Sequence, residues 1–158
     1  MRIKVLTKGN QLIHVPYLDA SLNESIKRLR KLWKKVQADR NRDAVYDFLT
    51  AVFELVEWWT AERRETEYAQ RALRINGLIA TAKPEPFAAV IAASVAPGRL
   101  DRRQLNKYSR ALIYAAACDC SSKRLKRFIK EQGGINDCAA ECAWRLRRLS
   151  RQCREMEQ

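Results

Sequence analysis

Cationic side chains form two dense sets in this sequence, and they are its strongest chemical signal. One set lies within residues 27–35 and the other within residues 123–151. Ammonium and guanidinium groups neutralise the phosphates of a nucleic acid and release its counterions, so each such contact adds affinity. The candidate phosphate-binding residues are Lys27, Arg28, Lys31, Lys34, Lys35, Lys123, Arg124, Arg127, Lys130, Arg145, Arg148 and Arg151.

The two sets differ in the chemistry they offer. The first is mostly lysine on a predicted helix, and a solvated helix face whose lysine stems cover apolar surface is an equally good interpretation. The second ends in a run of arginines, which bind phosphate with two parallel hydrogen bonds and stack on bases. Trp144 lies within that run and has a ring that stacks on bases. Its helical spacing with Leu146 and Leu149 favours a core or interface position instead.

The charge of the whole chain is uneven. Its 158 residues include 31 Lys and Arg against 18 Asp and Glu, a formal charge of +13. The net charge is +7 over residues 1–40, −2 over 41–98 and +8 over 99–158. Such a field concentrates polyanions, among which nucleic acid is the commonest in a cell and a membrane surface is the competitor. No apolar stretch approaches the roughly 20 residues that cross a bilayer, and the start lacks a signal-peptide pattern. We therefore expect a cytoplasmic protein without a membrane partner.

Five cysteines lie in the last 41 residues, and they are expected to be reduced thiols. Cys118, Cys120, Cys138 and Cys142 supply four sulfurs, but structural zinc sites usually have Cys-x2-Cys pairs, which differ from this spacing. Buried cysteines in alanine-rich helices commonly act as small apolar residues. The sequence predicts no metal and no cofactor.

Residues suited to catalysis are scarce. His14 is the one histidine, and no phosphate-cradling glycine loop occurs. Glu54 with Glu57, and Glu62 with Glu65, share helix faces, but acidic residues at that spacing are usually solvated or paired with arginine. We expect a protein that is not an enzyme.

The pattern of apolar residues predicts a mainly α fold, a helical bundle with an N-terminal β-hairpin. Residues 2–18 alternate between apolar and polar around a Lys-Gly-Asn turn, which predicts the hairpin. Ser21 and Glu24 form a capping box that predicts a helix from there to about Asp39. A long helix is then predicted over 43–75, with Tyr68 and Leu73 among the residues on its buried side. Its last third, Glu62–Arg74, has a mostly polar pattern typical of a solvated or partner-facing extension.

A proline-containing linker at 82–86 predicts two units, residues 1–80 and residues 84–158. Four shorter helices are predicted in the second unit. They cover about 85–95, Asp101 to about Ala117, Ser121 or Ser122 to Gly133-Gly134, and Asn136 to the C-terminus.

Residues 125–140 resemble part of a helix-turn-helix DNA-binding motif. A short amphipathic helix, a glycine turn and a new helix with small residues at 138–140 follow one another. The resemblance implies that the second helix contacts bases. An ordinary helical hairpin has the same pattern and is the favoured interpretation, because such hairpins are common connections.

A larger block is similar to one found in uncharacterised proteins of the bacterial accessory genome. It comprises residues 85–93 (EPFAAVIAA), 101–116 (DRRQLNKYSRALIYAA) and 128–139 (FIKEQGGINDCA). The resemblance implies a plasmid, prophage or integrative-element context and assigns no functional residue.

Three functional hypotheses follow. The first is a nucleic-acid-binding protein that acts through basic helix faces, as a regulator or accessory factor of a mobile element. The second is a protein-binding inhibitor of a host defence nuclease, of the anti-restriction or anti-CRISPR type. The third is a small helical subunit of a ribonucleoprotein. The expected partner is DNA, RNA or a nucleic-acid-handling protein. Under each hypothesis the acidic middle helix, with Trp58 or Trp59 exposed, is a candidate docking or homodimer surface.

Overall fold

The computed structural model describes residues 16–39, 41–95 and 100–156, with side chains from Ala20 onward, and this part of the chain is mainly helical. It contains seven α-helices, one short 3-10 helix and no strand. The α-helices are α1 (Pro16–Ala38), α2 (Arg42–Ala61), α3 (Glu65–Ile75), α4 (Pro86–Ser94), α5 (Arg102–Ala117), α6 (Leu125–Glu131) and α7 (Ile135–Met156). The 3-10 helix, Ser122–Arg124, leads directly into α6.

The first helix begins earlier than the sequence predicts. The capping box at Ser21 and Glu24 is not a helix start, because α1 already begins at Pro16, a residue favoured in the first helical turn. Ser25 instead donates its hydroxyl to the carbonyl of Ser21 inside the helix. The end of the predicted hairpin is therefore wrong over 16–18, and its remainder, residues 2–15, lies outside the described residues.

The long helix predicted over 43–75 is wrong, because the chain breaks between α2 and α3. Arg63 has a φ of 55°, in the left-handed region, which ends the helix without a glycine or proline. The break lets Tyr68 stack on Trp59, with ring centroids 5.7 Å apart. The predicted solvated extension is also wrong, since α3 buries five residues: Tyr68, Ala69, Arg71, Ala72 and Leu73.

One hydrophobic cluster joins helices from both sides of the predicted linker. Phe53 of α2 stacks on Phe87 of α4, with centroids 5.5 Å apart. Glu85 caps α4 by accepting hydrogen bonds from the N–H groups of Phe87 and Ala88. Burial raises the pKa of the Glu85 carboxyl, so this cap lies within the packed structure and is not a free linker residue. Whether the two units fold separately stays a prediction.

The C-terminal helices lie where the sequence predicts them. Asp101 caps α5 by accepting from the N–H of Gln104, and α5 ends at Ala117. The Gly133-Gly134 turn, with φ of 97° and 114°, separates α6 from α7. The first half of α7 packs on the core through the buried side chains of Cys138 and Cys142. The second half extends away from the core, which positions the site described next.

Candidate nucleic-acid interface

The α1 face comprises Lys27, Arg28, Lys31, Lys34 and Lys35, and all five side chains are exposed. The opposite side of the helix carries buried Ile26, Leu29 and Trp33, so packing fixes the direction of the cations. Lys27 pairs with Glu24 at 3.0 Å. Within the described ranges, no carboxylate lies within salt-bridge distance of the other four. The α1 face is thus a largely unneutralised row of ammonium groups and one guanidinium.

Arg30 lies beside this face but has a structural role that the sequence does not indicate. Its guanidinium donates to the side-chain oxygen of Asn76, just after α3, and to the carbonyl of Ala93 in α4 at 3.3 Å. These bonds connect α1 to two other helices. Arg30 is therefore a poor candidate for binding a ligand.

The predicted residues near α6 are exposed, but carboxylates neutralise some of the charge. Arg127 pairs with Glu131 at 2.6 Å, and Lys130 lies 3.9 Å from Asp43. Asp43 also pairs with Lys126 at 3.0 Å, and the hydrogen bond from Lys126 lowers the pKa of the Asp43 carboxyl. Lys123 and Arg124 have no acidic partner in the part of the chain that the structure describes. Because of these ion pairs, the cations near α6 offer less free positive charge to a phosphate than their number suggests.

The second half of α7, residues 144–156, is exposed at every position, and we call it the α7 arm. The arm carries arginines at 145, 147, 148, 151 and 154, against a single acidic residue, Glu155. Arg145 pairs with Glu141 at 3.1 Å, just before the arm. The other four arginines have no carboxylate within salt-bridge distance among the described residues. The arm presents the densest array of unpaired guanidinium groups in this part of the chain.

Trp144 was predicted to lie in the core or in an interface, and the structure shows that it is not in the core. Its side chain is 49% exposed, because α7 has left the core before this position. The guanidinium of Arg148 lies 5.4 Å from the centroid of its ring. A ring next to guanidinium groups, open to solvent, is the arrangement in which a base stacks while neighbouring cations hold the phosphates.

Arg147 and Arg154 belong to the arginine run predicted at the C-terminal end and complete the arm. Three further exposed cations, Arg102, Arg103 and Arg110, lie on α5 and were not predicted as site residues. Arg110 lies close to α7: burial raises the pKa of the Cys142 thiol, and the charge of Arg110 opposes that rise. The sequence signal for these three arginines is their helical spacing on the polar side of α5.

A cavity of about 320 Å³ lies between α2, α5 and the start of α7. Arg42 and Lys107 supply cations to its lining, and Tyr46 and Tyr108 supply aromatic rings. The predicted site residue Lys130 lies 5.5 Å from the ring centroid of Tyr46. Among the described residues, no acidic side chain lines the cavity, so its lining suits an anion.

The helix-turn-helix resemblance fits the geometry poorly. A helix-turn-helix protein contacts bases with the first turns of its second helix. Here Cys138 and Ala139 of those turns are buried, and the exposed positions are Asn136, Asp137 and Ala140, which carry no cation. The exposed cations of α7 lie in its second half, which favours the helical hairpin.

The cysteines have the burial expected of apolar residues. Cys138 and Cys142 are buried, and Cys118 and Cys120 are partly buried. Burial raises the pKa of the Cys138 thiol to about 11, which disfavours the thiolate that a metal needs. Among the described residues, no three His, Cys, Asp or Glu side chains are grouped to hold a metal ion.

Glu54 and Glu57, the first acidic pair of the middle region, make different contacts. Glu57 accepts a hydrogen bond from the backbone N–H of Ser122 at 3.1 Å, which connects α2 to the 3-10 helix. Glu54 lies in a different place, in a groove between α1 and α2 that Arg28 and Trp58 also line.

In the described ranges, no helix is both long and apolar enough to cross a membrane.

Comparison with known proteins adds no assignment: no family model, no curated protein and no solved structure matches the chain.

Proposed function

We propose that this protein binds nucleic acid, with the α7 arm as the main contact surface and the α1 face as a second one. The proposed role is binding without catalysis, inside the cell. The resemblance of residues 85–93, 101–116 and 128–139 to accessory-genome proteins fits a role as a regulator or accessory factor of a mobile element. DNA and RNA share the phosphate chemistry on which the proposal depends.

The observation that carries the proposal is the exposure of the whole α7 arm. A helix that packs on a core uses part of its surface for stability, but residues 144–156 leave every side chain accessible. Four of its arginines lack an acidic partner in the described structure, and guanidinium groups bind phosphate in a bidentate way. Trp144 adds an exposed ring beside Arg148. Arginine and tryptophan together suit a flexible, single-stranded nucleic acid best, since its bases are free to stack.

A protein partner is the second candidate, and a specific feature favours it. The groove between α1 and α2 has a volume of about 260 Å³ and is lined by Leu29, Leu55 and Trp58. Trp58 is 44% exposed, and exposed tryptophans beside apolar pockets are typical anchors of protein interfaces. An inhibitor of a nucleic-acid-handling protein, or a ribonucleoprotein subunit, would use this groove together with the basic surfaces.

The test is a fluorescence titration of labelled duplex DNA, single-stranded DNA and RNA with the purified chain over a series of salt concentrations. The proposal predicts binding whose log affinity falls linearly with log salt, with a slope of about −4 or steeper, as expected for at least five phosphate contacts. Single-stranded ligands should bind more tightly than duplex. No binding to any of the three at about 50 mM salt would contradict the proposal and favour the protein partner.

A further inference from the structure

The α7 arm has an apolar side that binding to a nucleic acid does not explain. Leu146, Leu149 and Met156 are 48%, 57% and 84% exposed, and Cys153 is exposed as well. Within the described chain, no other helix packs over them. Large apolar side chains that stay in water along one helix mark a surface that another molecule covers.

These residues continue a seam that begins inside the core. Cys142, Leu146, Leu149, Cys153 and Met156 follow one another at intervals of four, three, four and three residues. On an α-helix this spacing keeps all five within about 40° of one line. It is the repeat by which two helices pack side by side in a coiled coil. Cys142, the first member, is buried against the core, so the stripe extends an existing packing surface beyond the core.

The charges on the arm are arranged so that a second identical arm can approach. Helical geometry places Arg147, Arg151 and Arg154 on the side opposite the stripe. The positions that flank the stripe carry uncharged Ser150 and Gln152. Arg145, which also flanks it, is paired with Glu141. Two copies can therefore meet without facing unpaired arginines, although the chain carries a net charge of +13.

The same arrangement argues against a lipid surface. Helices that lie in a membrane interface bury Trp, Phe and Leu on one face. Here Trp144 lies on the arginine side, about 160° from the centre of the stripe. The apolar side chains of the stripe lie close to a single line along the helix, as in a helix–helix seam. The apolar face of a typical amphipathic helix is broader.

We propose that the stripe Leu146, Leu149, Cys153 and Met156 pairs with the same stripe of a second copy of this chain, forming a two-helix dimer. The pairing would leave the arginines and Trp144 of both arms on the outside. It does not depend on nucleic-acid binding, and it differs from a dimer through the middle helices, because residues 42–75 take no part in it.

The experiment measures the mass of the full chain by sedimentation equilibrium between about 5 and 200 μM, under reducing conditions and without nucleic acid. The wild type should be dimeric at the upper end of this range, since pairing removes the exposed leucines of both copies from water. The variant L146Q/L149Q should dissociate at least about 30-fold more readily, because it removes the two central apolar side chains of each stripe. Leu146 and Leu149 lie outside the core, so the melting temperature of the variant should match that of the wild type.

The matched control is Trp144→Gln, which removes a larger exposed apolar side chain from the opposite side of the same helix. The proposal predicts that this variant dimerises like the wild type. A wild type that stays monomeric at 200 μM, or equal dissociation of the two variants, would overturn the proposal. A monomeric wild type that co-sediments with vesicles of anionic phospholipid would overturn it as well, and would assign the stripe to a lipid surface.

Discussion

The α1 face and the α7 arm carry comparable positive charge, but they differ in how they are supported. The α1 face is the outer side of a helix whose inner side is buried against α2, α3 and α4. Its cations project from a fixed surface, and most are lysines. The α7 arm has no such support, and its cations are arginines that surround a tryptophan. The two surfaces are therefore suited to different parts of the proposed binding of nucleic acid.

The difference shows how support determines what a basic helix does. A packed helix presents one row of ammonium groups, which attract a polyanion from any direction but bind it as separate point charges. An unsupported helix presents its whole circumference, so one side is free for phosphates and bases while the other is free for a protein. We expect α1 to add long-range attraction and the arm to provide most of the contact energy.

The largest expected effect comes from neutralising the arm. The variant R147Q/R148Q/R151Q should bind single-stranded DNA about 100-fold more weakly at about 100 mM salt, since each screened charge-assisted contact contributes about 1 kcal/mol. Its melting temperature should be unchanged, because none of the three residues packs on the core. The titration described above measures the affinity, and thermal unfolding checks the fold.

A matched control removes the same amount of charge from the middle region. Arg63, Arg74 and Lys83 are exposed and lie outside both basic surfaces. The variant R63Q/R74Q/K83Q should lose less than about threefold in affinity, because only the net charge changes. If both triple variants lose affinity equally, the arm contributes only through the net charge of the chain and not through direct phosphate contacts.

Neutralising the α1 face should have a smaller effect. The variant K31Q/K34Q/K35Q is expected to lose about tenfold in affinity, equally for all base sequences, because compact ammonium groups contact phosphates without reading bases. The loss should appear mainly in the association rate, measured by stopped-flow mixing. A loss larger than that of the arm variant would reverse the order of the two surfaces.

The smallest effect concerns the neutralised set near α6. Asp43→Asn frees Lys126 and Lys130 and should raise affinity by up to about threefold, since two cations become available to phosphate. The hydrogen bond from Lys126 lowers the pKa of Asp43. The carboxylate therefore stays charged until the pH falls below its usual range, and any stabilisation it provides is present above that range and lost as it protonates. The gain in affinity should thus be constant from pH 5 to pH 8, and a gain confined to the upper end would contradict this assignment.

The sequence predicted best where local signals agree. Asp101 and the Gly133-Gly134 turn mark the ends of α5 and α6, and both caps are present. The exposure of the twelve predicted cations also followed from their type and helical spacing. These features depend on residues only a few positions apart.

The sequence failed where tertiary packing decides. The break at Arg63 contains no glycine or proline, and the rings that stack across it, Trp59 and Tyr68, are nine residues apart in the sequence. The exposure of Trp144 depends on where the core ends beneath α7, which helical spacing does not reveal. Arg30 resembled its basic neighbours, but its partners, Asn76 and Ala93, lie more than 45 residues away.

Whether the arm binds nucleic acid is decided by the salt dependence of binding to one single-stranded DNA, compared between the wild type and the arm variant R147Q/R148Q/R151Q. If the three arginines contact phosphates, the slope of log affinity against log salt should become shallower by about 2 in the variant. An unchanged slope would show that the three arginines do not contact phosphates, and would rule out the arm as the main contact surface.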